Sequence, residues 1–126
     1  MPPPAQDALL VMTTVADDAC ARALSLTLVG EHLAACVTRS AVRSVYRWVR
    51  KEETADGVVP TAPFSDVQED DEVLLLIKTS RLCVEVLERR LRELHPYDCP
   101  ELIRVAPEHV EPQYLRWLLE SCLGKD

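Results

Sequence analysis

The segment Leu94–Leu102, LHPYDCPEL, restricts the fold more than any other part of this chain. Pro96 cannot continue a helix, and each proline pushes its predecessor, His95 or Cys99, toward extended geometry. Before it, Arg81–Leu94 repeats Cys83, Leu87, Leu91 and Leu94 along one helical stripe; after it, Leu102–Ala106 reads as a strand that Pro107 ends. The segment is therefore a stiff helix-to-strand corner that holds an imidazole and a thiol in fixed directions. Taken alone, such a corner is more often a turn around a satisfied histidine than a ligand site.

The rest of the chain supplies partners for this unit. Ala8–Val15 is an apolar run of strand length, and Asp17 is placed to cap a helix in which Ala21, Leu24 and Leu28 share a face up to Gly30. Ala34–Val49 alternates with period two, Val42, Ser44, Tyr46 and Trp48 on one face and Arg43, Val45, Arg47 and Val49 on the other. Its length predicts a bend or bulge near Thr38–Ala41. Arg50–Glu69, with Gly57, Pro60 and Pro63, reads as a long loop or hairpin inserted into the domain. Glu72–Thr79 is the clearest strand, expected at the sheet centre. In the helix after it, Glu85–Arg89 and Glu88–Arg92 are spaced for i,i+4 ion pairs. Pro112 opens a last helix that carries Tyr114, Leu115, Leu118 and Cys122 inward and ends at Gly124.

The order is β-α-β-β-α-β plus one helix. It predicts an α+β, ferredoxin-like sandwich, residues 8–124 forming one domain behind a disordered lead, residues 1–7. Two helices cover only one face of such a sheet. The other face carries apolar residues of Leu74–Ile77, and self-association is the economical way to cover it.

Composition removes several functions. A net charge of −7 argues against nucleic-acid or anionic-membrane partners. No apolar run reaches the ~20 residues that span a bilayer. The lead has no basic residue and does not read as a secretion signal. The five cysteines include no C-x-x-C pair, and Cys20, Cys83 and Cys122 fall in helical patterns, which suits a reducing, cytoplasmic setting. Stacking aromatics on the central strands, phosphate-cradling glycine loops and hydrolase or metalloprotease motifs are all missing from the sequence. Cys36 and His95 form a conceivable nucleophile–base pair, but no orienting group or oxyanion donor accompanies them. No catalytic residue is assigned, and an enzyme is not expected.

Five blocks, EHLAACV (Glu31–Val37), SVYRW (Ser44–Trp48), EVLLLIKT (Glu72–Thr79), ELHPYDCPELI (Glu93–Ile103) and QYLRWL (Gln113–Leu118), resemble the CutA family of divalent-cation-tolerance proteins in order and spacing. The resemblance covers about Leu9 to Leu123. It implies a cytoplasmic homotrimer whose extended strands complete neighbouring sheets, associated with copper and other divalent cations. Where relatives carry W-x-G-K, Val49, Arg50 and Lys51 follow Trp48 here, and the next loop is longer by roughly ten residues. Thr13 and Leu94 stand where some bacterial members offer a cysteine and a second histidine, so His95 alone remains of that donor set.

His95, Cys36 and Cys99 are accordingly the candidate metal ligands, a soft N/S set suited to copper or another divalent cation. Trp48, Lys78, Tyr97 and Glu101 are assigned to the wall of a pocket between subunits. The acidic run Asp66, Glu69, Asp70, Asp71 and Glu72 reads as a solvated loop. An alternative reading is a small-molecule sensor resembling the PII signalling proteins, trimers that bind ligands in clefts between subunits.

Overall fold

The computed structural model describes residues 7–47, 50–54, 57–61 and 66–123. The elements are β1 (Ala8–Val15), α1 (Asp18–Gly30), β2 (Cys36–Arg47), β3 (Arg50–Thr54), β4 (Gly57–Thr61), β5 (Val67–Ser80), α2 (Val84–Leu94), β6 (Ile103–Val105) and α3 (Pro112–Ser121). The main sheet has four strands in the order β2-β5-β1-β6, every neighbour antiparallel, and β3 and β4 form a separate two-stranded hairpin. The chain is thus mixed α+β. The expected lead (but for Asp7), Trp48 and Gly124 lie outside the described residues.

Strand alternation sets the layers. Val11, Thr13 and Val15 of β1 and Val73, Leu75, Ile77 and Thr79 of β5 are buried, whereas Leu10, Met12, Leu74 and Leu76 between them are half-buried. The buried set packs with Ala21, Leu24 and Leu28 of α1 and Val84, Leu87 and Leu91 of α2 in one core. Each fully buried leucine there contributes about 1.5–3 kcal/mol. A smaller cluster joins Leu115, Leu118 and Cys122 at α3 to Ala8, Ala35 and Cys83 at one end of the sheet.

Local chemistry sets the helix ends. Asp17 accepts the Cys20 N–H at 2.8 Å, as its capping position requires, and Asp18 reaches across to Arg39 of β2 at 2.8 Å. At the far end of α1 the Leu33 N–H bonds the Leu28 carbonyl and the His32 N–H bonds that of Val29. This is a Schellman closure, and its left-handed residue is His32 (φ 60°), two places beyond Gly30. Glu111 caps α3 through the Tyr114 N–H at 2.9 Å, with Pro112 in the first turn.

Several expectations are corrected. β2 pairs with β5 in unbroken register from Cys36↔Lys78 to Arg47↔Val67, so there is no bulge near Thr38–Ala41. The pairing is unbroken because β5 is itself 14 residues long and matches β2 throughout. Of the two forms expected for residues 50–69, the hairpin is the one found among the described residues: β3 pairs with β4, and β5 already begins at Val67. The acidic residues Glu69–Glu72 therefore lie on a strand and alternate between faces, with Arg43 3.4 Å from Glu69 and 3.2 Å from Asp71. On α2, Glu88 is engaged by Arg104 of β6 (3.0 Å) instead of Arg92. Among the described residues Glu85 and Arg89 form no ion pair.

Two buried threonines on the helical face of the sheet differ in one respect. Thr79 Oγ1 donates to the Leu33 carbonyl at 2.7 Å, whereas Thr13 Oγ1 has no partner among the described residues. A buried hydroxyl without a partner costs about 1–3 kcal/mol. Thr13→Val should therefore raise stability by about 1 kcal/mol, and Thr79→Val should lower it by about the same. Urea midpoints at one fixed protomer concentration test this; shifts of equal sign would refute it.

Candidate metal and ligand site

His95 ends α2 and turns into the corner because Pro96 stops the helix; its own N–H closes the last turn on the Leu91 carbonyl at 2.8 Å. The ring is 7 % exposed. Nδ1 accepts the Tyr97 N–H at 3.1 Å, which leaves the proton on Nε2, and Nε2 donates to the Thr14 carbonyl at 2.9 Å. Both nitrogens are used, so as folded the ring has no lone pair to offer a metal. Burial also holds its pKa below the ordinary imidazole value, against the pull of the Thr14 carbonyl and the Glu72 carboxylate.

Tyr97 stacks tilted on His95 with ring centroids 4.8 Å apart, and its hydroxyl donates to Glu72 Oε2 at 3.3 Å. Burial, then the Glu72 carboxylate, push the phenol pKa up to about 12, so it stays a donor. Cys99 and Glu101 are exposed on the same corner. One strand further out, Tyr46 donates to Asp70.

Cys36 lies elsewhere. It is the first residue of edge strand β2, in the cross-sheet row Cys36, Lys78, Leu10, Val105. Lys78 Nζ donates to its sulfur at 3.8 Å and sits 5.8 Å from the centre of the Tyr114 ring. Burial opposes the ammonium charge, but the Tyr114 hydroxyl and the Cys36 thiol outweigh it and hold the Lys78 pKa above its usual value. Thr14, the anchor of His95, lies four positions along β1 from Leu10. At ~3.4 Å per residue the two rows are about 14 Å apart.

Within one chain the structure therefore brings His95, Tyr97, Cys99 and Glu101 to one corner and Cys36 with Lys78 to another. It does not join the three proposed ligands. No group of three or more His, Cys, Asp or Glu side chains converges among the described residues. Tyr114 and Glu72, which complete the two clusters, carry no sequence signal for that role, because each meets its partner only through tertiary packing.

These features define a small α+β protein: a four-stranded antiparallel sheet with three helices, one sheet face partly open and two polar clusters on it. The model of the family described as "CutA1 divalent ion tolerance protein" matches residues 9–61 and 65–121. The divalent-cation tolerance protein CutA of Pyrococcus horikoshii is 35% identical over 113 residues, 90% of this chain and 96% of the relative. That of Thermus thermophilus is 34% identical over 113 residues, 89% of this chain and 95% of the relative. The crystal structure of CutA1 from Pyrococcus horikoshii superposes with a TM-score of 0.75 at 33% identity, covering 90% of this chain and 96% of that one. CutA from Synechococcus elongatus gives 0.78 at 28% identity, covering 93% and 91%. The chain belongs to the CutA1 divalent ion tolerance family.

The buried neutral imidazole has a thermodynamic consequence. Above the ordinary pKa of ~6.5 both folded and unfolded chains hold a neutral ring, and its full contribution is present. As pH falls below that value the unfolded chain takes up a proton that the folded ring resists until its own lower pKa, so stability declines over that interval. His95→Ala should cost about 2 kcal/mol at neutral pH by stranding the Thr14 carbonyl and the Tyr97 N–H, and should flatten the decline. Urea unfolding of both proteins between neutral and mildly acidic pH measures it; an unchanged slope in the variant would assign the pH dependence elsewhere.

Proposed function

We propose that the chain acts without catalysis, as a cytoplasmic homotrimer of ferredoxin-like subunits that serves divalent-cation tolerance and homeostasis by holding a soft metal ion such as copper at subunit boundaries. The observation that carries the assembly is the sheet face turned away from α1 and α2. There Leu10, Met12, Leu74 and Leu76 are only half-buried, and Ile103, Val105 and Trp117 are exposed. A second copy that covers these residues removes that apolar area from water at ~25 cal/mol per Å². The outer halves of β2 and β5, where Val45 and Val67 are exposed, extend the same edge toward a neighbour.

The donor chemistry supports thiolate ligation. Cys36 is partly exposed beside a cation and Cys99 is exposed, while His95 serves better as the strut of the corner than as a ligand. One chain supplies too few donors, and threefold symmetry would present each thiol three times. Because thiols must lose a proton to bind, affinity should fall as pH falls.

A sensor of the PII type is the second reading, favoured by the Lys78–Tyr114–Cys36 cluster on the open face and the β3–β4 hairpin that follows β2. Sedimentation equilibrium at micromolar concentration should give three times the chain mass; a monomer would refute the assembly. Copper(I) titration under reducing conditions should weaken at least about tenfold in Cys36→Ser or Cys99→Ser. If both variants bind as the parent does, the metal reading fails, and a parallel nucleotide titration then tests the sensor.

A further inference from the structure

A concavity lies on the helical side, away from the open sheet face and from both polar clusters. It has a volume of about 390 Å³ and is bounded by the end of α1, the outer stripe of α2 and Leu123, two residues beyond α3. That volume is within the range of small-ligand sites, ~300–1,000 Å³. Three of its walls are apolar side chains left in water: Leu82 is 74 % exposed, Leu123 65 % and Val86 46 %. Exposed leucine and valine scattered over a surface need no explanation, but their convergence on one concavity does.

Two arginines and two glutamates line this cavity, and both carboxylates converge on one of the arginines. Arg90 is held by Glu31 through two bonds, at 3.0 and 2.9 Å, and by Glu93 at 3.2 Å. Arg89, one residue away in the same wall, has no carboxylate partner among the described residues. A planar guanidinium with free donors fits a carboxylate bidentately. Glu31 and Glu93 are both engaged by Arg90, so a single carboxylate can take the Arg89 donors, whereas a dianion would meet stronger repulsion from those two glutamates. A cation would have to displace Arg90 from the carboxylates, and a neutral amphiphile would leave the Arg89 donors unused.

We propose that this cavity binds a monocarboxylate with a medium-length aliphatic tail, the carboxylate on Arg89 and the tail along Leu82, Val86 and Leu123. The site is independent of the metal and sensor readings, because it shares no residue with either polar cluster.

Calorimetric titration of the full chain with hexanoate, octanoate and decanoate below their micelle concentrations tests this. One molecule per protomer should bind, with affinity rising about fourfold for each added methylene until the cavity is full. Octanol and octylammonium should bind more weakly than octanoate. Arg89→Gln should weaken octanoate about tenfold and leave octanol unchanged, and Arg89→Lys should restore part of the loss. Leu82→Ser should flatten the chain-length dependence. Both positions are exposed, so thermal midpoints should stay near the parent value and separate lost binding from lost fold. No binding of decanoate up to about 1 mM would overturn the proposal. So would equal binding of octanol and octanoate, or full octanoate affinity in Arg89→Gln.

Discussion

Burial of alternate side chains of β1 and β5 beneath α1 and α2 places everything else in this molecule. Val11 and Val15 on one strand and Leu75 and Ile77 on the other are wholly enclosed. A one-residue slip of either strand would exchange them for Leu10, Met12, Leu74 and Leu76 and expose the core. The register Ala8↔Ser80 to Val15↔Val73 is therefore fixed by the hydrophobic effect, and β2 and β6 add to its two edges. The same alternation makes the opposite face half apolar, because both faces of the central strands carry leucine. The residues that specify the subunit thus also leave an apolar face on the side away from the helices.

Polar side chains tie this layered unit together where backbone ladders end. Glu88, 8 % exposed, meets Arg104 of β6 and links α2 to the strand it feeds. Asp18 and Arg39 join the start of α1 to β2. His95 fastens the corner to β1 by donating to the Thr14 carbonyl, whose strand end would otherwise face the turn unpaired. A histidine that both stiffened a corner and bound a metal would have to give up one of these bonds.

Much of the fold was legible in the chain. The helix cap at Asp17, the helix start at Pro112, the breaker Pro96 and the period-two runs act through contacts within a few residues, so pattern and propensity suffice to read them. The unbroken β2–β5 ladder was not legible. A twelve-residue strand looks overlong until its partner is known to be as long, and pairing length belongs to two distant segments together. The ion pairs of α2 were misplaced for a like reason. Local spacing offered Arg92 to Glu88, but packing of β6 beside α2 brought Arg104 closer, in a drier setting.

The candidate site divides along the same line. Sequence alone determined that His95, Tyr97, Cys99 and Glu101 share one rigid corner, because two prolines restrict the backbone around them whatever the rest of the chain does. Only the tertiary structure decided what those groups are free to do. The Thr14 carbonyl that occupies His95 arrives from a strand 81 residues away in the chain, and Lys78 reaches Cys36 across 42. Whether a side chain is a ligand or a strut depends on which lone pairs and protons remain after folding. That is set by long-range contacts that no local pattern encodes.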